Sequence, residues 1–293
     1  MTSPSCCRVP ALAWFSVLPV LALSGCGGVG SAGTDAANAV VDGLVCGLRN
    51  CTESSTLNID EISPRFTATQ AAGDGAVEVA GGLGKSANVF TSVLMARDES
   101  LTVSVDGSPE LPMPNPDGKR LSYEARLAAA SAQPVVRVVF TRGGTRHVNQ
   151  VTLPPGFTVL QPTGAPLLTR SGNALPVRLS AAPTGSLYAG ANGSCSRADG
   201  SSFELNAAPL TTRPEPGVAG GYRLEPAVVD DNLNAYSQSL NRNDPRTAAV
   251  TRCDLVVTWS MEVTGSVAPT MNRHGAFVGR RTATHRLSYD ARL

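Results

Sequence analysis

The residues with the clearest chemistry are Leu-Ser-Gly-Cys at positions 23–26, which follow an apolar run at residues 11–23. Cys26 supplies a thiol that a diacylglyceryl group can alkylate, and the small residues before it suit a signal-peptide cleavage site. Thirteen helical residues reach only about 20 Å, which is short of a hydrocarbon core of about 30 Å. We therefore predict a lipoprotein signal peptide at residues 1–25 and lipidation of Cys26, palmitate included. The alternative is an ordinary cleaved signal followed by a chance cysteine.

Four cysteines remain after the signal peptide and Cys26 are set aside, namely Cys46, Cys51, Cys195 and Cys253. An even number of cysteines in an exported chain indicates disulfides, and three pairings are possible. We choose a local Cys46–Cys51 bond and a long-range Cys195–Cys253 bond. The alternative is a zinc site, but two cysteines separated by four residues without a nearby histidine have poor spacing for zinc. We predict no metal and no cofactor.

Residues 230–246 are the longest polar stretch of the second half, and we interpret them as a loop. Acidic and amide side chains at its start resemble a calcium loop, but the turn glycine and the final bidentate glutamate are missing. Loops at the ends of sandwiches commonly carry binding residues. We therefore predict that any partner site includes Asp230, Asp231, Asn241 and Arg242.

We find no catalytic motif and predict no catalytic residue. The chain has no serine-hydrolase elbow, metalloprotease motif, phosphate loop or dinucleotide fingerprint. Each of the three histidines, His147, His274 and His285, has an arginine next to it in sequence, which makes cation binding there unfavourable.

The C-terminal stretch is basic, with arginines at positions 280, 281, 286 and 292. We favour a solvated or ion-paired strand face, which would also protect an edge strand from aggregation. The alternative is contact with an anionic envelope polymer or a lipid head group.

The overall charge excludes one class of partner. Lysine and arginine total 24 against 23 aspartate and glutamate, and Arg8 would be lost with the signal peptide. The mature chain is then formally neutral, whereas general nucleic-acid binding needs a basic surface. We predict no nucleic-acid partner. Aromatic residues are only 5% of the chain, which weakens the case for a stacking surface for sugars.

A short helix and many strands must position these residues. Apolar residues at helical spacing in residues 37–48 predict a short helix within the lipidated tether, residues 26–55. It either packs on the following domain, which we favour, or lies on the membrane. From residue 56 onward the pattern has period two, with glycine or proline about every ten residues, which is typical of an all-β sandwich.

We predict two tandem immunoglobulin-like β-sandwich domains, at residues 56–154 and 155–293. The boundary lies in the Pro-Pro-Gly stretch near Pro154, and both halves have the usual size of such domains. The clearest strand is 253–264, in which Cys253, Trp259 and the alternate residues between them face one way. On that face Trp259 is predicted to pack in the core rather than to stack on a ligand.

Several features together resemble uncharacterised proteobacterial lipoproteins. They are the motif at residues 23–26, Leu-Thr-Val-Ser-Val-Asp-Gly at 101–107, Val-Thr-Leu-Pro-Pro-Gly-Phe at 151–157, and the cysteine pair of the second half. The resemblance implies an envelope location and sandwich domains, but it carries no activity. By resemblance to Gram-negative lipoproteins, Gly27 rather than Asp after the lipidated cysteine implies transfer to the outer membrane, facing the periplasm or the cell surface.

The sequence therefore predicts a lipid-anchored envelope protein that is not an enzyme. It would be held in the membrane by its N-terminal lipid and would bind another envelope protein or polymer through loops or a sheet edge. One alternative is a module that binds carbohydrate or another small ligand, which requires a cleft with clustered Tyr or Trp. A hydrolase is a further alternative, and it requires a histidine to meet a carboxylate and a nucleophile in one pocket.

Overall fold

The computed structural model describes residues 50–116 and 118–293 of the chain. The predicted signal peptide, the helix at residues 37–48, Cys26 and Cys46 lie outside the described residues. Their lipidation, their structure and the Cys46–Cys51 pairing stay predictions. No helix within the described part has the length and hydropathy needed to cross a bilayer.

The first half of the described chain consists of short strands with two single 3-10 turns after the first strand. Its strands are β1 (Cys51–Glu53), β2 (Ile62–Ala71), β3 (Ala76–Lys85), β4 (Asn88–Leu94), β5 (Ser100–Val105), β6 (Leu111–Pro112), β7 (Tyr123–Ala128), β8 (Val135–Arg142) and β9 (Thr145–Thr152).

The second half adds longer strands and one helix. Its strands are β10 (Val159–Gln161), β11 (Leu167–Thr169), β12 (Leu175–Leu179), β13 (Ser186–Arg197), β14 (Ser202–Leu210), β15 (Arg213–Pro214), β16 (Gly221–Leu224), β17 (Val250–Thr264) and β18 (Ala276–Asp290). Helix α1 (Pro226–Leu240) lies between β16 and β17.

The strands form one long sheet and two small ones within the described residues. The ten-stranded sheet runs β1-β4-β3-β2-β18-β17-β13-β14, with β7 added beside β3 and β11 beside β18. The small sheets run β6-β5-β8-β9 and β10-β12-β16-β15. The parallel pairing of β2 with β18 joins strands of the two halves into one sheet.

Two hydrophobic cores lie against this long sheet. The first contains Phe66 and Phe277 from the long sheet with Phe140 of the β6-β5-β8-β9 sheet. The second contains Trp259 from the long sheet with Leu224 of the other small sheet, together with residues of helix α1. Each core thus lies between two sheets, and the prediction of an all-β, sandwich-forming chain is confirmed.

The predicted boundary near Pro154 falls where the chain passes from one core to the other. Leu153 is buried in the first core and Phe157 in the second. However, Ala268, Met271 and Phe277 from the second half also pack in the first core. The halves therefore share a sheet and part of a core, and the division into domains at 56–154 and 155–293 stays a prediction.

The alternation predicted in the strand at 253–264 matches the burial of β17. Cys253, Leu255, Val257, Trp259 and Met261 are buried, and the residues that alternate with them are more exposed. Cys195 of β13 lies directly opposite Cys253, and a disulfide joins them with a Cα–Cα distance of 4.1 Å. The predicted Cys195–Cys253 pairing is confirmed.

A buried carboxylate ties the chain before β2 to the first sandwich. Glu99 accepts hydrogen bonds from the Ser54 hydroxyl, from the backbone N–H of Ala96 and from the Arg142 guanidinium. Arg142 also donates to the carbonyl oxygen of Leu57 at 2.9 Å. Since buried charges need partners, this network fixes the segment that follows β1.

The prediction of a loop over residues 230–246 is wrong for its larger part, because residues 226–240 form helix α1. Pro226 occupies the first turn, where its missing N–H costs nothing. Val229, Leu233 and Ser237 are buried at four-residue spacing and face the second core. The helical backbone also excludes the calcium loop considered for these residues.

Candidate functional site

The four residues predicted for binding do not converge. Asp230, in the first part of α1, accepts hydrogen bonds from Arg170 at 2.8 Å and from the Tyr289 hydroxyl. Asn241 caps the other end of the helix and Arg242 follows it with a φ of 55°. Eleven residue steps along the helix separate Asp230 from Asn241, a distance of about 16 Å. Asp231 is exposed on the helix. A role for these residues in binding stays a prediction.

The Asp230 contacts explain the position of the helix. The Tyr289 hydroxyl is buried beside this carboxylate, and burial raises the pKa of Tyr289. The Arg170–Asp230 ion pair joins the chain that follows β11 to α1. Asp230 therefore fastens the helix to the end of β18, which is a structural role.

The three histidines lie in separate surroundings. His147 Nδ1 lies 2.7 Å from the Thr270 hydroxyl, and burial, followed by the charge of Arg142, lowers the pKa of His147. His285 receives a hydrogen bond from the indole N–H of Trp259 at 3.2 Å. His274 is exposed before β18. Within residues 50–116 and 118–293, no three His, Cys, Asp or Glu side chains come together in a way that could hold a metal ion.

The basic C-terminal strand divides into four different environments. Arg280 pairs with Glu262 at 2.6 Å, and Arg292 pairs with Asp290 at 2.6 Å. The hydrogen bonds from Arg292 lower the pKa of Asp290 to about 2. Arg286 is exposed, whereas Arg281 is buried. A solvated or ion-paired side chain is thus found for Arg280, Arg286 and Arg292, whereas the buried Arg281 departs from this interpretation.

β18 has one incompletely paired side. β17 lies along one side of it as far as Asp290. On the other side, β2 pairs with residues 276–282 and β11 with residues 288–290. Residues 283–287, which we call the open segment, pair with no strand on that side within the described chain. Six residue steps separate the two pairings, or about 20 Å at 3.3 Å per residue.

Backbone polar groups of the open segment point into this gap. The carbonyl of Thr282 accepts a bond at 2.7 Å from the chain that follows β2, and the N–H of Ser288 donates at 2.9 Å to the residue before β11. Because alternate residues direct their N–H and C=O groups to the same side, Thr284 and Arg286 face this side as well. Neither residue has a backbone partner there among the described residues.

The side chains of the open segment alternate strictly. Ala283, His285 and Leu287 are buried in the second sandwich. Thr284 and Arg286 are exposed on the outer face. The gap therefore presents two donors and two acceptors beside a rigid strand, which is the arrangement that accepts an added β-strand.

A pocket of about 190 Å³ lies at the β2 end of the gap. We call it the Arg281 pocket, and its lining includes Ala72, Thr158, Ser180, Arg281 and Thr282. Arg281 is 7% exposed and donates from Nε to the carbonyl of Pro154 and from Nη2 to the carbonyl of Ala132. Burial lowers the pKa of Arg281.

A second cleft of about 250 Å³ lies at the β11 end of the gap. Ala165, Asp254, Arg286 and Ser288 contribute to its walls. The open segment thus runs between two clefts, one with a buried guanidinium and one with an exposed guanidinium.

Sequence reasoning did not identify this site. Arg281 and Arg286 stood out only as members of a basic strand. The open segment depends on where β2 and β11 end along β18, and pairings between residues about 120 to 210 positions apart have no local sequence signal. The available signal was the alternation of residues 282–288, which marks a strand with one exposed face.

No family model and no curated protein matches this chain. Similar solved structures include a chimeric titin Z1Z2 tandem, 12% identical, covering 76% of this chain and 96% of that one, with a TM-score of 0.21. The tandem Ig repeats of Dlar are 9% identical, covering 79% and 96%, with a TM-score of 0.25. The C-terminal domain of the Streptococcus pyogenes antigen I/II-family protein AspA is 10% identical, covering 79% and 100%, with a TM-score of 0.19. All three scores are low, so the sandwich architecture rests on the sheets described above.

Proposed function

We propose that the protein is a lipid-anchored bacterial envelope protein that is not an enzyme and binds an extended segment of another envelope protein. The observation that carries this proposal is the open segment, residues 283–287 of β18. The motif at Cys26 supplies the membrane anchor, and a guest strand beside β18 supplies the attachment to the partner.

Strand addition fits the geometry of the gap. A guest strand of about five residues would fill the distance between β2 and β11. Its backbone would satisfy the N–H and C=O groups of Thr284 and Arg286, and these bonds supply affinity with little dependence on sequence. Specificity would then come from the clefts at the two ends of the gap.

The alternatives have less support. Carbohydrate binding was expected to need a cleft with clustered aromatic residues, but Trp259 is fully buried and packs against Tyr222 at a ring distance of 5.4 Å. A hydrolase was expected to bring a histidine to a carboxylate and a nucleophile. The contacts given for His147 and His285 are with Thr270 and Trp259 respectively. No specific observation favours either alternative.

The test uses peptides selected from a random heptapeptide library on the detergent-solubilised full chain. Thr284→Pro removes one N–H that points into the gap and leaves the ladder with β17 intact, because that N–H does not face β17. Thr284→Val is the matched control, since it keeps the N–H and the branched shape. We expect selected peptides to bind the wild type and Thr284→Val equally and Thr284→Pro at least tenfold more weakly.

Two results would overturn the proposal. One is that no peptide is enriched on the wild type. The other is that enriched peptides bind Thr284→Pro as well as they bind Thr284→Val, which would place them elsewhere on the surface. Circular dichroism of both variants checks that the strand is retained.

A further inference from the structure

We propose that the Arg281 pocket binds a carboxylate group carried by the segment that pairs with residues 283–287. This inference rests on the proposed function and identifies the chemistry of one end of the partner segment. It predicts a C-terminal carboxylate or an acidic side chain at that end.

Arg281 carries a buried positive charge that no described carboxylate balances. Its Nε and Nη2 atoms are occupied by the backbone carbonyls of Pro154 and Ala132, at 3.1 and 2.7 Å. Nη1 has no partner among the residues that the structure describes. Carbonyl dipoles offset only part of the cost of burying a cation, and an anion in the pocket offsets more of it.

Hydroxyl groups complete the lining. The Ser180 hydroxyl oxygen accepts a hydrogen bond from the backbone N–H of Thr158 at 2.9 Å, so its own proton is available to a ligand. Thr158 and Thr282 also border the pocket. A guanidinium with neighbouring hydroxyl donors is a suitable environment for an oxyanion.

The one acidic residue of the lining does not fill this role. Asp74 also borders the pocket, but Arg126 binds both of its carboxylate oxygens, at 2.9 and 3.0 Å. The backbone N–H of Ala76 donates to the same carboxylate at 3.0 Å. Arg126 also binds Glu78. No hydrogen bond or ion pair joins Asp74 to Arg281 within the described residues, so Arg281 has no carboxylate partner there.

The charge and the position of the pocket select the ligand. A single uncompensated positive charge matches a monoanion, such as a carboxylate, better than a dianionic phosphate. Ala72 and Thr282 belong both to the pocket and to the end of the β2–β18 pairing. A strand paired with Thr284 therefore passes from the gap directly to Arg281.

The first experiment is an NMR titration of the detergent-solubilised full chain with ¹⁵N-labelled arginine. The probes are N-acetylglycine, which carries a carboxylate, and N-acetylglycinamide, its neutral counterpart. We expect the Nε–H resonance of Arg281 to shift saturably with N-acetylglycine only, and the resonance of Arg126 to stay in place. Ser180→Ala, which removes a hydroxyl of the pocket, should weaken N-acetylglycine binding at least threefold, whereas Thr284→Val should not change it.

Arg281 itself is not substituted in this test, because its bonds to Pro154 and Ala132 hold the connection between the two sandwiches. The inference is overturned if Arg281 shows no saturable shift. It is also overturned if the amide shifts the Arg281 resonance equally, or if Ser180→Ala leaves the affinity unchanged.

The second experiment separates this inference from the proposed function. Each selected heptapeptide is compared with a free C-terminal carboxylate and with a C-terminal amide, and with its acidic side chains replaced by amides. Loss of both binding and the Arg281 Nε–H shift on either replacement supports the inference and identifies the source of the carboxylate. Loss of binding by a peptide that never shifted the Arg281 resonance overturns it. Equal binding of all forms, still sensitive to Thr284→Pro, overturns the inference and leaves the proposed function standing. Failure of every peptide to bind overturns the proposed function.

Discussion

The buried pair of Trp259 and His285 predicts how the stability of the second sandwich depends on pH. An indole N–H can only donate, so Nδ1 of His285 must accept the bond at 3.2 Å and the ring proton must sit on Nε2. Nε2 has no partner among the described residues. Protonation would place a second N–H against the indole N–H, and burial lowers the pKa of His285 from 6.5 to about 4.

The direction and size of the effect follow from this shift. Between pH 6.5 and about 4 the unfolded chain binds a proton at position 285 and the folded chain does not. The free energy of unfolding contributed by this group is therefore fully present above pH 6.5 and is lost as the pH falls toward 4. A shift of this size corresponds to about 3 kcal/mol, which solvent screening at the ring reduces to about 2 kcal/mol.

The assay is urea unfolding at constant ionic strength between pH 7.5 and 4.5, followed by far-UV circular dichroism. His285→Asn removes the titration and keeps an oxygen near the position of Nδ1 to accept from Trp259. We expect the wild type to lose about 2 kcal/mol more than His285→Asn across this range. The titration of His147 changes the free energy of unfolding equally in the wild type and in His285→Asn, so it cancels from the difference between them. The exposed His274→Asn is the matched control and should behave as the wild type. Equal slopes for the wild type and His285→Asn would refute the reasoning.

Three further predictions concern other parts of the chain. Replacing both Cys195 and Cys253 by alanine opens a loop with a sequence separation of 58 residues and should lower the free energy of unfolding by about 4 kcal/mol in the chain-entropy model. A loss below about 1 kcal/mol in chemical denaturation would contradict this. Glu99→Gln leaves a guanidinium without its buried counterion and should cost about 3 kcal/mol. Glu78→Gln, at an exposed position, is the matched control and should cost less than about 1 kcal/mol. Similar losses of stability in Glu99→Gln and Glu78→Gln would contradict the argument that burial of Glu99 makes its substitution more costly. Cys26→Ala should remove lipidation and release the protein from membranes, as measured by fractionation and mass spectrometry, and persistent membrane retention would exclude the lipid anchor.

The strand pattern could be predicted because it is local. In β17 every second residue is buried, so the alternation between Cys253 and Met261 marked both the strand and its inner face. The same logic placed Trp259 in the core. The Cys195–Cys253 pairing followed from counting cysteines in the second half, and the opposed register of β13 and β17 accounts for it.

Helix α1 could not be predicted from the same reasoning, because its buried stripe is narrow. Polar bonds hold much of the helix against the sheet instead. The Asn234 side chain accepts from the N–H of Val250 at 2.8 Å, and the Asn232 side chain accepts from the N–H of Thr211 at 2.8 Å. Such residues are typical of loops when only the sequence is read. Their partners lie in other strands, so the sequence contains no local sign that they support a helix.

The shared sheet was missed for a different reason. β2 and β18 pair in parallel, with Arg65 opposite Ala276, across most of the chain. The hydrophobic pattern of each strand is satisfied equally well in two separate domains. Only the three-dimensional structure shows that β18 has partners on both sides and that one of its sides is interrupted.

Two unpaired borders of the long sheet, β14 and the open segment, differ in how their backbone groups are satisfied. At β14, which ends the long sheet, the Tyr236 hydroxyl meets the N–H and C=O of Asn206 at 3.1 and 3.3 Å. These contacts block strand addition at that border, as proteins commonly do to prevent aggregation.

At the open segment no described side chain takes the corresponding groups of Thr284 and Arg286. The exposed Arg286 still disfavours the pairing of two copies at this border. An antiparallel pair would bring the positive charges of the two Arg286 side chains together. An acidic guest strand would instead be attracted to the positive charges of Arg286 and Arg281. If the proposed function is correct, we therefore expect the partner segment to be acidic and the protein not to pair with itself through the open segment.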